Sequence, residues 1–257
     1  MTDNRPNTSS DKLPEQEKFI LTLDNGTQSI RALVFDLKGN LVAKSRIELE
    51  AYFSKNPGWA EQEPEYFWQM LGKACQALWQ QPEVIKRNLR EKISAVTVTT
   101  QRGTVINLDK NGKPLRPAIL WLDQRLADLK QNMPWYWRLI FSCIRQTQVI
   151  DYFRRKAQAN WLAQNQPEIW QQTDKFLLLS GYLTYRLTGQ FKDSVGSIVA
   201  YLPYDYKKQR WAARSDWKWH ALPVKESMLS QLVKPGETLG EITPEASKFT
   251  GIPAGTK

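Results

Sequence analysis

Two short runs of β-favouring apolar residues, Phe19–Leu23 and Ile30–Phe35, flank a polar stretch with Asn25-Gly26 at its centre. Asn-Gly between such runs predicts a β-hairpin, because both residues tolerate positive φ. Asp36–Asn40 reads as a second turn and Leu41–Leu49 as a third strand, so the chain opens with an antiparallel meander. A loop from Ser54 to Glu63 leads into a predicted helix, Pro64–Gln80. Its apolar positions Phe67, Met70, Leu71, Ala74 and Leu78 follow helical spacing, with Pro64 in the first turn and Glu61, Glu63 and Glu65 complementing the helix dipole. Ile93–Thr99 reads as a further strand. Thr104–Leu108 and Lys113–Trp121, joined by a turn at Asp109–Gly112, read as another hairpin-like unit.

The pattern changes after Leu122-Asp-Gln-Arg125. Helices are predicted at Leu126–Asn132, Trp135–Gln146, Phe153–Asn165 and Phe176–Leu187, with Gly189 as the C-cap of the last. Residues 191–217 carry strand or turn signals, and Leu222–Lys257 is loop-rich, with four prolines. A meander, a helix and then more strand is an α/β pattern with a mixed sheet. Between Lys130 and Leu162 stand six basic residues and one acid, Asp151, with Trp135, Tyr136, Trp137 and Phe141 among them. Such a stretch suits an interface or a membrane-facing helix; packing of amphipathic helices against the sheet is the preferred expectation.

Composition narrows the classes. The 257 residues allow one large domain or two small ones, and 41% hydrophobic with 24% charged is ordinary for a globular chain. No apolar run is long enough for a transmembrane helix, and residues 1–18, rich in polar residues and proline, are expected to form a disordered tail without a secretory signal. Two cysteines, Cys75 and Cys143, and a single His220 suggest reduced thiols in the cytoplasm. They leave no zinc spacing and little basis for Ser-His or Cys-His catalysis. The net charge of +10 favours anionic partners, yet the cations form no dense block, so neither nucleic acid nor membrane is expected as a partner.

Candidate chemistry gathers at the first hairpin. Asp24 precedes the turn, and Thr27, Gln28, Ser29 and Arg31 follow it. Exposed backbone N–H groups, hydroxyls and an arginine are donors for phosphate oxygens, and Asp24 at a strand end could face a hydrated Mg²⁺. No P-loop and no Gly-x-Gly-x-x-Gly sequence is present, so any nucleotide would be held by the hairpin.

Further along, several stretches fall into one order. Leu23–Arg31 resembles the first phosphate-binding hairpin of the FGGY carbohydrate kinases. Pro57-Gly-Trp-Ala-Glu61 is similar to their Pro-Gly-Trp loop, Thr100-Gln-Arg-Gly103 to their substrate-contacting strand end, and Arg116–Arg125 to their Pro-Ala-Ile-x-Trp-x-Asp-x-Arg segment. Tyr182–Gly189, Asp193 and Leu239-Gly-Glu-Ile242 continue the series.

The resemblance implies an α/β ribonuclease-H-like (actin-like ATPase) domain, a mixed sheet flanked by helices, spanning 19–257, with the family's second, C-terminal domain absent from this chain. It further implies transfer of the ATP γ-phosphoryl group to a sugar or polyol, with ATP and Mg²⁺ as cofactors. Asp24, Asn25, Gly26, Thr27 and Arg31 would lie at the phosphates, with Asp24 also at the metal. Gln101, Arg102, Trp121, Asp123 and Tyr152 would contact the sugar. Glycerol kinase has Glu where this chain has Gly103, which leans the substrate toward a pentulose or related sugar. The family's catalytic base lies in the second domain, so none is assigned here and the chain alone is expected to be catalytically incomplete. A non-enzymatic sugar- or partner-binding remnant is the alternative. A homodimer and a separate C-terminal kinase half are left open as partners.

Overall fold

The computed structural model describes residues 17–129, 133–199 and 201–257. The expected tail falls almost wholly outside them. The meander forms as its pattern requires: β1 (Phe19–Asn25), β2 (Ser29–Asp36) and β3 (Leu41–Glu48) pair antiparallel. Alternate residues of β1 and β2 point to one face, where Leu21, Leu23, Ile30, Ala32 and Val34 are buried. After a two-residue strand β4 (Glu61–Gln62), helix α1 (Pro64–Trp79) covers that face with Phe67, Leu71, Ala74 and Leu78. Each fully buried leucine of this kind contributes about 1.5–3 kcal/mol. The short α2 (Pro82–Lys86) leads to β5 (Ile93–Thr100), which lies parallel to β1, so the sheet order is β3-β2-β1-β5.

A second sheet follows in the order β4-β7-β6-β8, from β6 (Val105–Leu108), β7 (Ala118–Ile119) and β8 (Lys175–Leu178). Its outer layer contains α3 (Trp135–Cys143), α4 (Thr147–Lys156), α5 (Gln158–Asn165) and α6 (Pro167–Gln172). Helix α7 (Leu179–Thr188) returns to the first core and ends at Gly189, whose φ of 71° makes it the expected C-cap. The rest comprises β9 (Lys192–Ser194), β10 (Tyr204–Asp205), β11 (Arg210–Trp211), α8 (Trp217–Ala221), β12 (Gln231–Val233) and α9 (Pro244–Thr250). The mixed α/β architecture agrees with the sequence reading.

Several boundaries differ, each for a local reason. The expected strand Lys113–Trp121 reduces to Ala118–Ile119, because Leu115 and Pro114 bond back to β6 and the segment then turns away. Residues 126–129 are not helical, and 130–132 lie outside the described residues. The predicted Phe153–Asn165 helix breaks at Ala157, which takes an extended conformation. Phe176-Leu177-Leu178 is a strand, not the start of a helix, because it pairs with Val105–Asn107; tertiary pairing overrides local propensity there. The apolar helices do not simply pack on the sheet either: α3 buries only Phe141 and α4 only Ile150.

Candidate active site

The first hairpin closes differently from the two-residue turn its sequence suggests. Asn25 is the last residue of β1, paired with Ile30, and the Gly26 N–H donates to the Ser29 carbonyl at 3.0 Å. Neither Asn25 nor Gly26 takes positive φ. Asn25 points into the core, 1% exposed, with its amide unpartnered, so its side chain is not on the open surface. Its carbonyl instead accepts the Gln101 N–H at 2.7 Å, which fixes the strand end beside the hairpin. Asp24 and Arg31 face each other across the two strands and form an ion pair at 2.6 Å, partly open to solvent. Thr27 and Gln28 are exposed at the tip.

Thr27 turns toward the residues expected to meet the sugar. Its hydroxyl accepts the Trp121 indole N–H at 3.1 Å and reaches the Gln101 side-chain oxygen at 3.4 Å. Arg102 and Trp121 line one cavity of about 240 Å³, so the strand end and the Trp121 segment share a concave surface. The Arg102 guanidinium donates to the Gly196 and Ile198 carbonyls, at 3.2 and 3.4 Å. Gly103 lines the same cavity at φ 80°, a left-handed conformation that favours glycine; a Cβ there would meet the Trp121 Cβ at 3.4 Å. Gln101 and Thr27 border a neighbouring cavity of about 340 Å³ with Gln62 and Tyr66.

Asp123 is placed elsewhere. Its carboxylate is 1% exposed, and it accepts from the Ala60 N–H at 2.7 Å and from Arg125 at 2.7 Å. Arg125 also bonds Glu61 at 2.9 Å, and Arg116 pairs with the same Glu61 oxygen. Burial pulls the Arg116 guanidinium below its usual pKa, and Glu61 opposes that shift. The Arg125 guanidinium also packs against Trp59 and Trp161, 3.9 and 4.5 Å from their ring centres, and those two rings meet each other edge-on. The Pro-Gly-Trp loop and the Asp-x-Arg segment thus meet in a neutral, buried four-charge cluster. With its oxygens engaged there, Asp123 has none turned to a ligand, which corrects its expected contact with a sugar hydroxyl.

Tyr152, on α4, is exposed and stands at the margin. Its hydroxyl bonds that of Tyr201, whose phenol is held above its ordinary pKa by burial first and by Tyr152 second. Tyr201 and Gln158 line the Arg102–Trp121 cavity, with Val105, Phe176 and Leu178 as an apolar wall. Reading the sequence missed Gln158 and Tyr201. The only local signal is the Tyr201 backbone at φ 70°, a conformation that concentrates at functional sites and is invisible in sequence. No carboxylate and no imidazole lines this cavity among the described residues.

The hairpin fits a phosphate in part. No described acceptor takes the Thr27 or Gln28 backbone N–H, and Arg31 adds a cation. For Mg²⁺ the described residues offer Asp24 singly: they contain no group of three potential metal ligands. One carboxylate suits Mg²⁺, which keeps waters and takes its other oxygens from phosphates. Asp24 shares its charge with Arg31, so it is not the free carboxylate that the sequence suggested.

Solved structures place this architecture in a class. The xylulose kinase of Rhodospirillum rubrum superimposes with a TM-score of 0.74 at 21% identity, covering 93% of this chain and 48% of that one, and the gluconate kinase of Lactobacillus acidophilus does so at 0.73 and 19%, covering 94% and 47%. The fold is therefore that of the actin-like ATPases. Residues 19–257 match the FGGY family of carbohydrate kinases, N-terminal domain, and the chain belongs to that family. The glycerol kinase of Thermococcus onnurineus is 29% identical over 230 residues, covering 87% of this chain and 44% of its own length. The xylulose kinase of Escherichia coli K12 is 28% identical over 235 residues, covering 90% and 45%. The chain spans about half the length of the curated relatives it matches.

Proposed function

We propose that this chain is the substrate-binding half of an ATP-dependent carbohydrate kinase acting on a pentulose or a related sugar. The observation that carries this reading is the linkage Trp121 indole–Thr27 hydroxyl–Gln101 amide. It joins the hairpin suited to phosphate to the wall of the Arg102–Trp121 cavity. A sugar needs an aromatic face for its C–H side and directional donors for its hydroxyls. Trp121 supplies the face; Arg102, Gln158 and Tyr201 supply polar groups. Two backbone carbonyls hold the Arg102 guanidinium, so its orientation is set before a ligand arrives. Gly103 leaves the side next to Trp121 free of a side chain, which supports a sugar longer than glycerol.

In the reaction, a sugar hydroxyl oxygen bonds to the γ-phosphorus while the bond to the β–γ bridging oxygen of ATP breaks. The hairpin N–H groups and Arg31 would orient the phosphates, and Asp24 would hold the Mg²⁺ that neutralises their charge. The hydroxyl proton needs a base, and the described residues lining the cavity include none. The base and the rest of the nucleotide site would therefore come from a C-terminal kinase half, joined to this chain or separate, working in the cytoplasm. The test is a panel of pentuloses, polyols and hexoses, read by thermal stabilisation of the 257-residue chain and by coupled ADP release. Stabilisation by one sugar class without turnover is expected. Turnover by the chain alone near that of intact relatives would overturn the incompleteness, and no stabilisation by any sugar would overturn the binding role.

A further inference from the structure

Helix α3 is anchored by one side only. Phe141 stacks on Trp137 at 5.6 Å and meets Trp217 edge-on at 5.5 Å, which fixes those two positions inward. Trp135, Tyr136, Leu139, Ile140 and Ile144, spaced by one and four residues along the other side, are exposed, with Tyr136 at the edge of the row where its ring meets that of His220 at 6.3 Å. Trp135 is 74% exposed, Leu139 56% and Ile144 56%. Val149, at the start of α4, extends the patch at 59%. A surface of this kind calls for a covering partner, since contiguous exposed apolar patches mark interaction sites.

The surrounding charge identifies the partner. Arg138, within α3, and Arg145, just after it, are exposed beside the stripe, and no described carboxylate pairs with them. The single acid between Trp135 and Lys156 is Asp151, and it is ion-paired with Arg154. A helix face of Trp and aliphatic residues bordered by arginines has the composition of helices that lie in a bilayer interface. A second copy of the chain suits the patch less well: it would bring these arginines against their like in a molecule of net charge +10. We propose that the outer face of α3 and the α3–α4 turn dock onto an anionic lipid surface. Docking is peripheral, since no helix of the described residues is long and apolar enough to cross a membrane. It adds to the kinase reading without depending on it.

The experiment is co-sedimentation of the 257-residue chain with vesicles of phosphatidylcholine, with and without phosphatidylglycerol, at low and raised salt. Binding to the phosphatidylglycerol vesicles should exceed binding to pure phosphatidylcholine by about tenfold or more, and salt should weaken it. Leu139→Glu with Ile144→Glu should remove that binding without changing the thermal melt, because both side chains already face solvent. Arg138→Glu with Arg145→Glu should reduce it while sparing the weak binding to phosphatidylcholine. Equal binding by wild type and the Leu139/Ile144 variant, or no binding to the anionic vesicles, would overturn the proposal. So would self-association in sedimentation velocity, or capture of a C-terminal kinase half, that the same substitutions abolish in a chain that ignores lipid.

Discussion

Trp121 and Asp123 lie two residues apart in one segment, and they serve different purposes. Trp121 is 51% exposed, bonded to the hairpin through Thr27, and forms a wall of the cavity with Arg102. Asp123 is sealed inside with Glu61, Arg116 and Arg125. Both constellations pair arginine with aromatic rings, so these residue types alone do not separate them. What differs is where their polar atoms find partners. In the buried cluster the carboxylates and arginines mostly satisfy one another. Around the cavity Arg102 bonds only backbone carbonyls, and Trp121 offers a bare ring. The first arrangement holds the Pro-Gly-Trp loop to the Asp-x-Arg segment; the second has capacity left for a ligand.

That contrast breaks most visibly in stability. Removing one member of a buried ion network strands the others, at a cost of about 3–5 kcal/mol. Arg125→Ala should therefore lower the urea midpoint strongly, and a midpoint equal to wild type would deny the cluster its structural role. On the open side, Asp24→Ala in an assembled kinase should cut kcat by about a hundredfold while leaving the sugar KM nearly unchanged, because phosphate stabilisation acts mostly in the transition state. A change confined to KM would move Asp24 to the sugar. Arg102→Ala should weaken sugar affinity by about tenfold or more, the loss of a charged hydrogen-bond donor, with the unliganded melt unchanged. Thr27→Ala should act more mildly, by about 1 kcal/mol, since it removes one neutral hydroxyl.

The smallest effect concerns Asp193, a third buried carboxylate without a cation. Burial pushes its carboxyl up to about 6, against hydrogen bonds from Ser180 and the Ser194 N–H that favour the charged form. A carboxyl raised on folding stabilises the fold fully when protonated, and that contribution is lost as pH rises through about 6. The stability of wild type relative to Asp193→Asn should therefore fall from mildly acidic to neutral pH. A pH-independent difference would mean that Asp193 ionises as freely in the fold as in the unfolded chain.

Much of the frame was legible in the sequence because apolar runs and helical spacing report burial. The apolar β-favouring run Phe19–Leu23 and the helical spacing from Phe67 to Leu78 each gave an element close to its observed bounds. The segment 116–125 has no such period, so nothing local distinguished a Trp facing a cavity from an Asp facing inward. Asn25 shows the same limit: its place before Gly26 suggested a turn, yet the β1 pleat continues through it and turns its side chain into the core. Gln158 and Tyr201 reach the cavity from segments more than fifty residues downstream of Arg102, a juxtaposition only tertiary folding creates. Helix α3 reads as amphipathic, but which of its faces meets the protein depends on Trp217, some eighty residues away.

The most direct test compares Trp121→Ala and Asp123→Ala in one experiment, the thermal unfolding of each chain with and without the sugar that stabilises wild type. The expected result is a division: Trp121→Ala keeps the unliganded melting temperature and loses the sugar response, whereas Asp123→Ala melts well below wild type without ligand. A Trp121→Ala chain that melts low, or that still responds fully to sugar, would contradict the assignment of these two neighbours to different work.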